Sequence, residues 1–154
     1  MSRVSVFWVR WLIATSLFVA AFGLSMVVAP QLPESYFNLI LFGEFAEHTR
    51  FSAEAHTYIR FAYAVMGSLM AGWVASLLAL IVGPLRRGER SAWIAIAVSV
   101  AVWFVLDSAA SIALGFWQNA VSNLGFAILV EIPLLATYRT FFPASTPVKS
   151  SQRA

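Results

Sequence analysis

The sequence predicts an all-α protein: a bundle of four transmembrane helices with both chain ends in the cytoplasm and a short interfacial or re-entrant segment in the first outer loop. Three observations predict it. Sixty per cent of the 154 residues are apolar and only 11% are charged, against about a quarter charged in a soluble domain. The apolar residues gather in uncharged runs of the roughly 20 residues that carry a helix across a hydrocarbon core about 30 Å thick. The basic residues fall on one side of the layer that those runs would form, as the positive-inside rule requires. A soluble fold of this length has too little interior to hide so much apolar surface.

The first run, Trp11 to Ala29, holds no charge and is stopped by Pro30. It gives a span over about 8–29. Arg3 and Arg10 could instead be the basic region of a cleaved signal peptide. The length of the run and the Pro30 that follows Val27-Val28-Ala29 argue for a retained span.

Residues 30–56 form the only sizeable segment between spans. Tyr36, Phe37, Leu39, Ile40, Leu41 and Phe42 are too few to cross, and read as a short helix lying in the interface or dipping back into it. The second span covers about 57–82, and Gly83-Pro84 should end it.

Residues 91–130 contain a single charge, Asp107. One straight helix of that length would be about 60 Å long, twice the bilayer core, so the segment must fold back. Gly115 suits a helix C-terminus, Trp117 suits the headgroup interface, and Asn119 suits an N-cap. The spans are therefore 91–114 and 119–138. All four should be helices, because lipid offers no partner to an open strand edge. The membrane domain takes in 1–142. The Pro/Ser/Thr-rich tail, 143–154, reads as a disordered cytoplasmic segment.

Arg3, Arg10, Arg86, Arg87, Arg90, Arg139, Lys149 and Arg153 share one side of an even-numbered bundle. The other side has only Arg50 and Arg60, beside Glu34, Glu44, Glu47 and Glu54. The net charge of +3 is thus sorted by side, unlike the basic, aromatic-interleaved surface of a nucleic-acid binder. Nine of the ten basic residues are Arg, the usage of a GC-rich bacterial genome, which points to a bacterial inner membrane. Cysteine is absent, which excludes disulfides and thiolate chemistry.

The candidate functional residues are the polar groups inside the apolar runs. An Asp near the centre of a membrane helix costs roughly 2.5–3.5 kcal/mol on the insertion scale, so it normally faces protein or water. Ser99, Trp103, Asp107 and Ser111 recur at intervals of four, as do Asn119, Asn123, Ala127 and Glu131 on the next helix. A short turn makes those helices neighbours, so two polar stripes can face each other.

Pro133 should kink the last helix and leave the Leu129 carbonyl without its usual donor. Glu131 either faces inward with the stripe or reaches the inner surface. Arg60 either reaches Asp107 from the second helix or extends to the headgroups. Trp73 and Trp103 lie deep, where they line a pocket or fill the core. Small residues run along the second helix as Ala64, Ser68, Gly72 and Ser76, beside Gly67, Ala71, Ala75 and Ala79. These are packing faces within the bundle or the seam of a homodimer.

In the outer loop, Glu44 and His48 share a helical face and His56 follows. They are the only candidates for a metal site, and the alternative is a solvated polar loop. No phosphate loop, His-Glu-x-x-His helix or nucleophile elbow is present. The sequence names no catalytic residue and no cofactor.

The span count, Leu41-Phe42-Gly43 after the first helix, and the run Trp103-Phe104-Val105-Leu106-Asp107-Ser108 resemble the small bacterial four-helix membrane proteins grouped loosely as DoxX-like. The resemblance covers about 8–138. It implies a bundle and membrane residence but no established reaction. The architecture is also similar to that of sterol-binding EXPERA-type proteins, at the level of fold alone.

The function expected is that of a non-enzymatic membrane protein with a polar intramembrane pocket, which binds a small molecule or serves as an accessory to a partner complex. Its partners would be the bilayer and a lipidic or cationic small molecule, held by Asp107, Trp103, Ser111, Asn123, Glu131 and Arg60. One alternative is a proton-coupled transport or relay protein acting as an oligomer, with Asp107 and Glu131 as relay groups. The other is a membrane enzyme acting on a lipid or quinone.

Overall fold

The structure is a computed structural model that describes residues 4–43 and 51–143. Those residues form five α-helices: α1 Val6–Val28, α2 Gln31–Phe42, α3 Ala53–Leu80, α4 Arg90–Ala113 and α5 Trp117–Phe141. No strand occurs among them. Four of the helices, all but α2, are long and apolar enough to cross a membrane. Leu69, Leu106 and Leu135 are each at least 66% exposed on the outer faces of three different helices. That is an unstable surface in water and an ordinary one in lipid.

The long helices run alternately up and down. Arg10, Arg86, Arg87, Arg90 and Arg139 therefore lie towards one end, the arginine end, and α2 with the α4–α5 turn lies at the other. Around the bundle, α1 packs chiefly on α3 and α4 chiefly on α5, and α1 also touches α5. Towards the arginine end all four helices share one apolar core, in which Leu12, Leu77, Ile81, Leu85, Ile96 and Leu134 are buried.

Towards the α2 end two separate seams carry the packing. In the first, α1 crosses α3 at Gly23 and Gly67. A Cβ on Gly67 would collide with the Gly23 carbonyl oxygen and lie 2.8 Å from Met26 Cβ. The second seam is the polar contact of α4 with α5 described below.

Of the small residues on α3, Gly67 therefore serves the bundle. Ser68, Gly72, Ala75, Ser76 and Ala79 are exposed. The Ser68 and Ser76 hydroxyls donate to the carbonyls of Ala64 and Gly72 one turn back, at 2.8 and 3.2 Å. That is how a serine on a lipid-facing helix satisfies itself.

Gly83-Pro84 does not end the second span where the sequence suggested. The chain continues as a π-helical turn over Ile81–Leu85. Ile81 and Leu85 are each 1% exposed, and the wide turn keeps both in the core while accommodating a proline that has no N–H to donate. The start of α3 also precedes the predicted span, because the Ser52 hydroxyl accepts from Ala55 N at 3.2 Å and caps the helix.

The α4–α5 turn falls where predicted. Gly115 is left-handed at φ 86. Its N–H donates to Ile112 O and that of Phe116 to Ser111 O, at 3.0 and 2.8 Å, which is a Schellman closure. Asn119 is not the cap of α5. The cap position is Phe116 and has no side-chain bond, while Asn119 lies within the first turn and turns its amide towards α4.

Proline 133 stays inside α5. The Leu129 carbonyl, one turn before it, accepts the Trp11 indole N–H from α1 at 2.9 Å. Trp93 of α4 donates likewise to Leu134 O at 3.0 Å. Two indoles from neighbouring helices thus clamp the proline segment, supplying donors where lipid would supply none.

Candidate functional site

Two groups of polar side chains are assembled towards the α2 end. The first joins α4 to α5. The Asn119 Nδ2 donates to Ser111 Oγ at 2.8 Å and to Asp107 Oδ1 at 3.4 Å, and Ser111 Oγ donates to the same oxygen at 3.5 Å. One turn deeper, Asn123 Nδ2 donates to Ser108 Oγ at 3.4 Å, and both residues are buried. Asp107 lies six residues before the end of α4 at Ala113, about 9 Å along the helix axis.

The bonds to Asp107 are long and therefore weak, and both fall on Oδ1. No described residue donates to Oδ2, which is not sealed inside the protein. The carboxylate is anchored by one oxygen and open at the other. Below it, Trp103 lies one turn along α4 and meets Trp73 of α3 at 6.1 Å between ring centroids.

The predicted stripes therefore meet, with a shifted register. Asp107, Ser111 and Asn123 are brought together with Asn119, and Trp103 lies beside them. Ser108, which the four-residue stripe omitted, is the actual partner of Asn123. Its position next to Asp107, one helical turn after Phe104, was the available signal.

Glu131 is not part of this cluster. It lies ten residues before Phe141, about 15 Å along the axis from the helix end. It is half-buried and bonds to no described residue.

Arg60 is not with Asp107 either. Its Nε donates to Glu34 Oε1 of α2 at 3.2 Å. The reason is lateral position: α3 packs chiefly on α1 and only slightly on α4, and α2 brings a carboxylate across the end of α3.

The second group is built around α2. It is a 12-residue helix closed by Gly43 at φ 77, too short to cross a bilayer. Contacts to three long helices hold it. Phe22 of α1 meets Tyr36 edge-on at 5.5 Å, and Phe37 stacks on Tyr63 of α3 at 5.6 Å. The Tyr36 hydroxyl bonds the Ser122 hydroxyl of α5. Between α2 and the first turns of α3 lies a cleft of about 280 Å³, lined by residues that include Glu34, Phe37, Phe42, Tyr58 and Tyr63.

His56 also lines this cleft. Its proposed companions in a metal site, Glu44 and His48, lie outside the described residues. Among the described residues no three His, Cys, Asp or Glu side chains are placed to hold a metal.

No family model, curated protein or solved structure matches this chain.

Proposed function

We propose that this is a non-enzymatic, multi-pass protein of the bacterial inner membrane that binds a lipidic molecule through a hydrogen-bond-donating or cationic group received by Asp107. The observation that carries the reading is the Asp107 carboxylate itself. It stands in an apolar helix, tied by Oδ1 to Ser111 and Asn119, with Oδ2 open. An ionisable group kept at such cost within a membrane helix marks a site. A carboxylate with one oxygen fixed is oriented to accept from a ligand with the other.

In this reading the arginine end is cytoplasmic, which places both termini inside, and α2 lies in the outer interface. Trp103 and Trp73 form an apolar wall beneath the carboxylate, and Asn123 with Ser108 hold α4 and α5 at a fixed spacing. The likeness to DoxX-like proteins adds membrane residence to this reading and contributes no reaction.

The test is purification in a mild detergent, followed by mass spectrometry of the lipidic compounds that stay bound. An amine- or hydroxyl-bearing compound should accompany the wild-type protein and be lost from Asp107→Asn, with membrane insertion unchanged. An identical set of compounds on both proteins would refute the proposal.

A further inference from the structure

The cleft between α2 and α3 carries chemistry that does not involve Asp107. Its volume, about 280 Å³, falls below the roughly 300–1,000 Å³ of pockets that enclose a drug-sized ligand. It has room for a headgroup and not for a whole amphiphile. The walls are mainly aromatic, with Phe37 stacked on Tyr63 and Tyr58 beside them. Among the described residues, one anionic side chain lines this space. Glu34 lines the cleft, whereas its partner Arg60 does not.

The Glu34 side chain is 14% exposed against 47% for Arg60, so the guanidinium lies on the solvent side of the pair. Arg60 bonds Glu34 Oε1; no described residue bonds Oε2, and that oxygen is not sealed. The cleft is thus presented with an available carboxylate oxygen among rings.

From this juxtaposition we infer that the cleft binds an alkylated ammonium group. A cation with apolar substituents is attracted by aromatic faces and by a carboxylate together. An anion would meet Glu34, a metal ion would find no third His, Cys, Asp or Glu among the described residues to complete a set with Glu34 and His56, and an uncharged apolar group would leave a desolvated carboxylate without compensation. The ligand is therefore a headgroup of the trimethylammonium kind, either free or at the end of a chain embedded in the bilayer.

The experiment is calorimetric titration of the full chain in neutral maltoside micelles, with empty micelles as blank. The probes are choline, dodecyltrimethylammonium and, as a neutral control, dodecanol. Binding of choline would assign a free cation, and binding of dodecyltrimethylammonium alone would assign an amphiphile; either supports the site. Glu34→Gln should weaken the cation about tenfold and Phe37→Leu by a smaller factor. Arg60→Gln, which removes the competing cation but keeps the carboxylate, should preserve binding or tighten it. Glu34→Gln should weaken the cation by the same factor in an Asp107→Asn background as in the wild-type background, which separates this site from the one in the α4–α5 hairpin.

Absence of binding would overturn the inference, as would equal affinity of Glu34→Gln and wild type or equal binding of dodecanol. Loss of binding in Arg60→Gln to the extent seen in Glu34→Gln would also overturn it, by showing that only the α2–α3 latch matters. Disappearance of the Glu34→Gln effect in the Asp107→Asn background would move the cation to the other site.

Discussion

Replacing Trp11 by Phe tests how a proline is accommodated deep in this bundle. Phenylalanine keeps most of the ring's packing and removes the one N–H that reaches Leu129 O at 2.9 Å. That carbonyl already lacks its usual donor, because residue 133 is proline. Leaving a buried acceptor without its partner costs about 1–3 kcal/mol in soluble proteins. Interhelical hydrogen bonds in a membrane protein average about 0.6 and reach about 1.7 kcal/mol by double-mutant cycles. Trp11→Phe should therefore destabilise by about 1 kcal/mol.

The cycle with Pro133→Ala isolates the cause. Alanine restores an N–H at 133, so the Leu129 carbonyl regains an internal donor. The cavity left by the buried proline ring is common to both proteins and cancels. In that background the cost of Trp11→Phe should fall by more than half, a coupling of at least about 0.5 kcal/mol. The assay is equilibrium unfolding in mixed dodecyl sulfate and maltoside micelles, followed by circular dichroism. Equal costs in the two backgrounds would refute the argument that the indole serves the proline.

Gly67→Ala should weaken the α1–α3 crossing by about 1–3 kcal/mol, because its Cβ meets the Gly23 backbone and Met26. Gly72→Ala, with nothing within 4 Å, should stay within about 0.5 kcal/mol of wild type in the same unfolding assay. Reconstituted vesicles should pass protons no faster than empty ones. Between Asn123 and Glu131, α5 itself carries no polar side chain over two turns, about 12 Å, and its facing position is the buried Ala127. Flux above the empty-vesicle rate that disappears in Asp107→Asn would contradict this.

Hydropathy made the number of long helices legible, because the length of an apolar run is fixed by bilayer thickness. Boundaries failed where packing overrode local signals. Gly83-Pro84 looked like a stop, but burying Ile81 and Leu85 carries the helix through it as a π turn. Asn119 looked like a cap, a role that would use its Oδ1 as an acceptor, but it lies inside the first turn of α5 and its Nδ2 donates across the seam to Asp107 and Ser111.

The intramembrane cluster was legible as a four-residue stripe. Spacing fixes the face of one helix but not its register against the next, so Ser108 escaped notice. Of the two readings of Arg60, the pairing with Asp107 failed on azimuth. Depth follows from distance along the chain, whereas the neighbour of α3 depends on the whole bundle and on where α2 lies. The role of Trp11 had a signal in the sequence, since a carbonyl freed by proline in lipid needs a donor. Nothing local selects which indole supplies it.

The absence of cysteine makes the membrane topology directly measurable. Single cysteines introduced by Arg87→Cys in the α3–α4 connection and Trp117→Cys at the start of α5 can be tested in intact cells with an impermeant maleimide. Labelling of the second before lysis, and of the first only after it, is the result that four spans with the arginine end inside predict. Equal labelling of both sites in intact cells would contradict the account at its root.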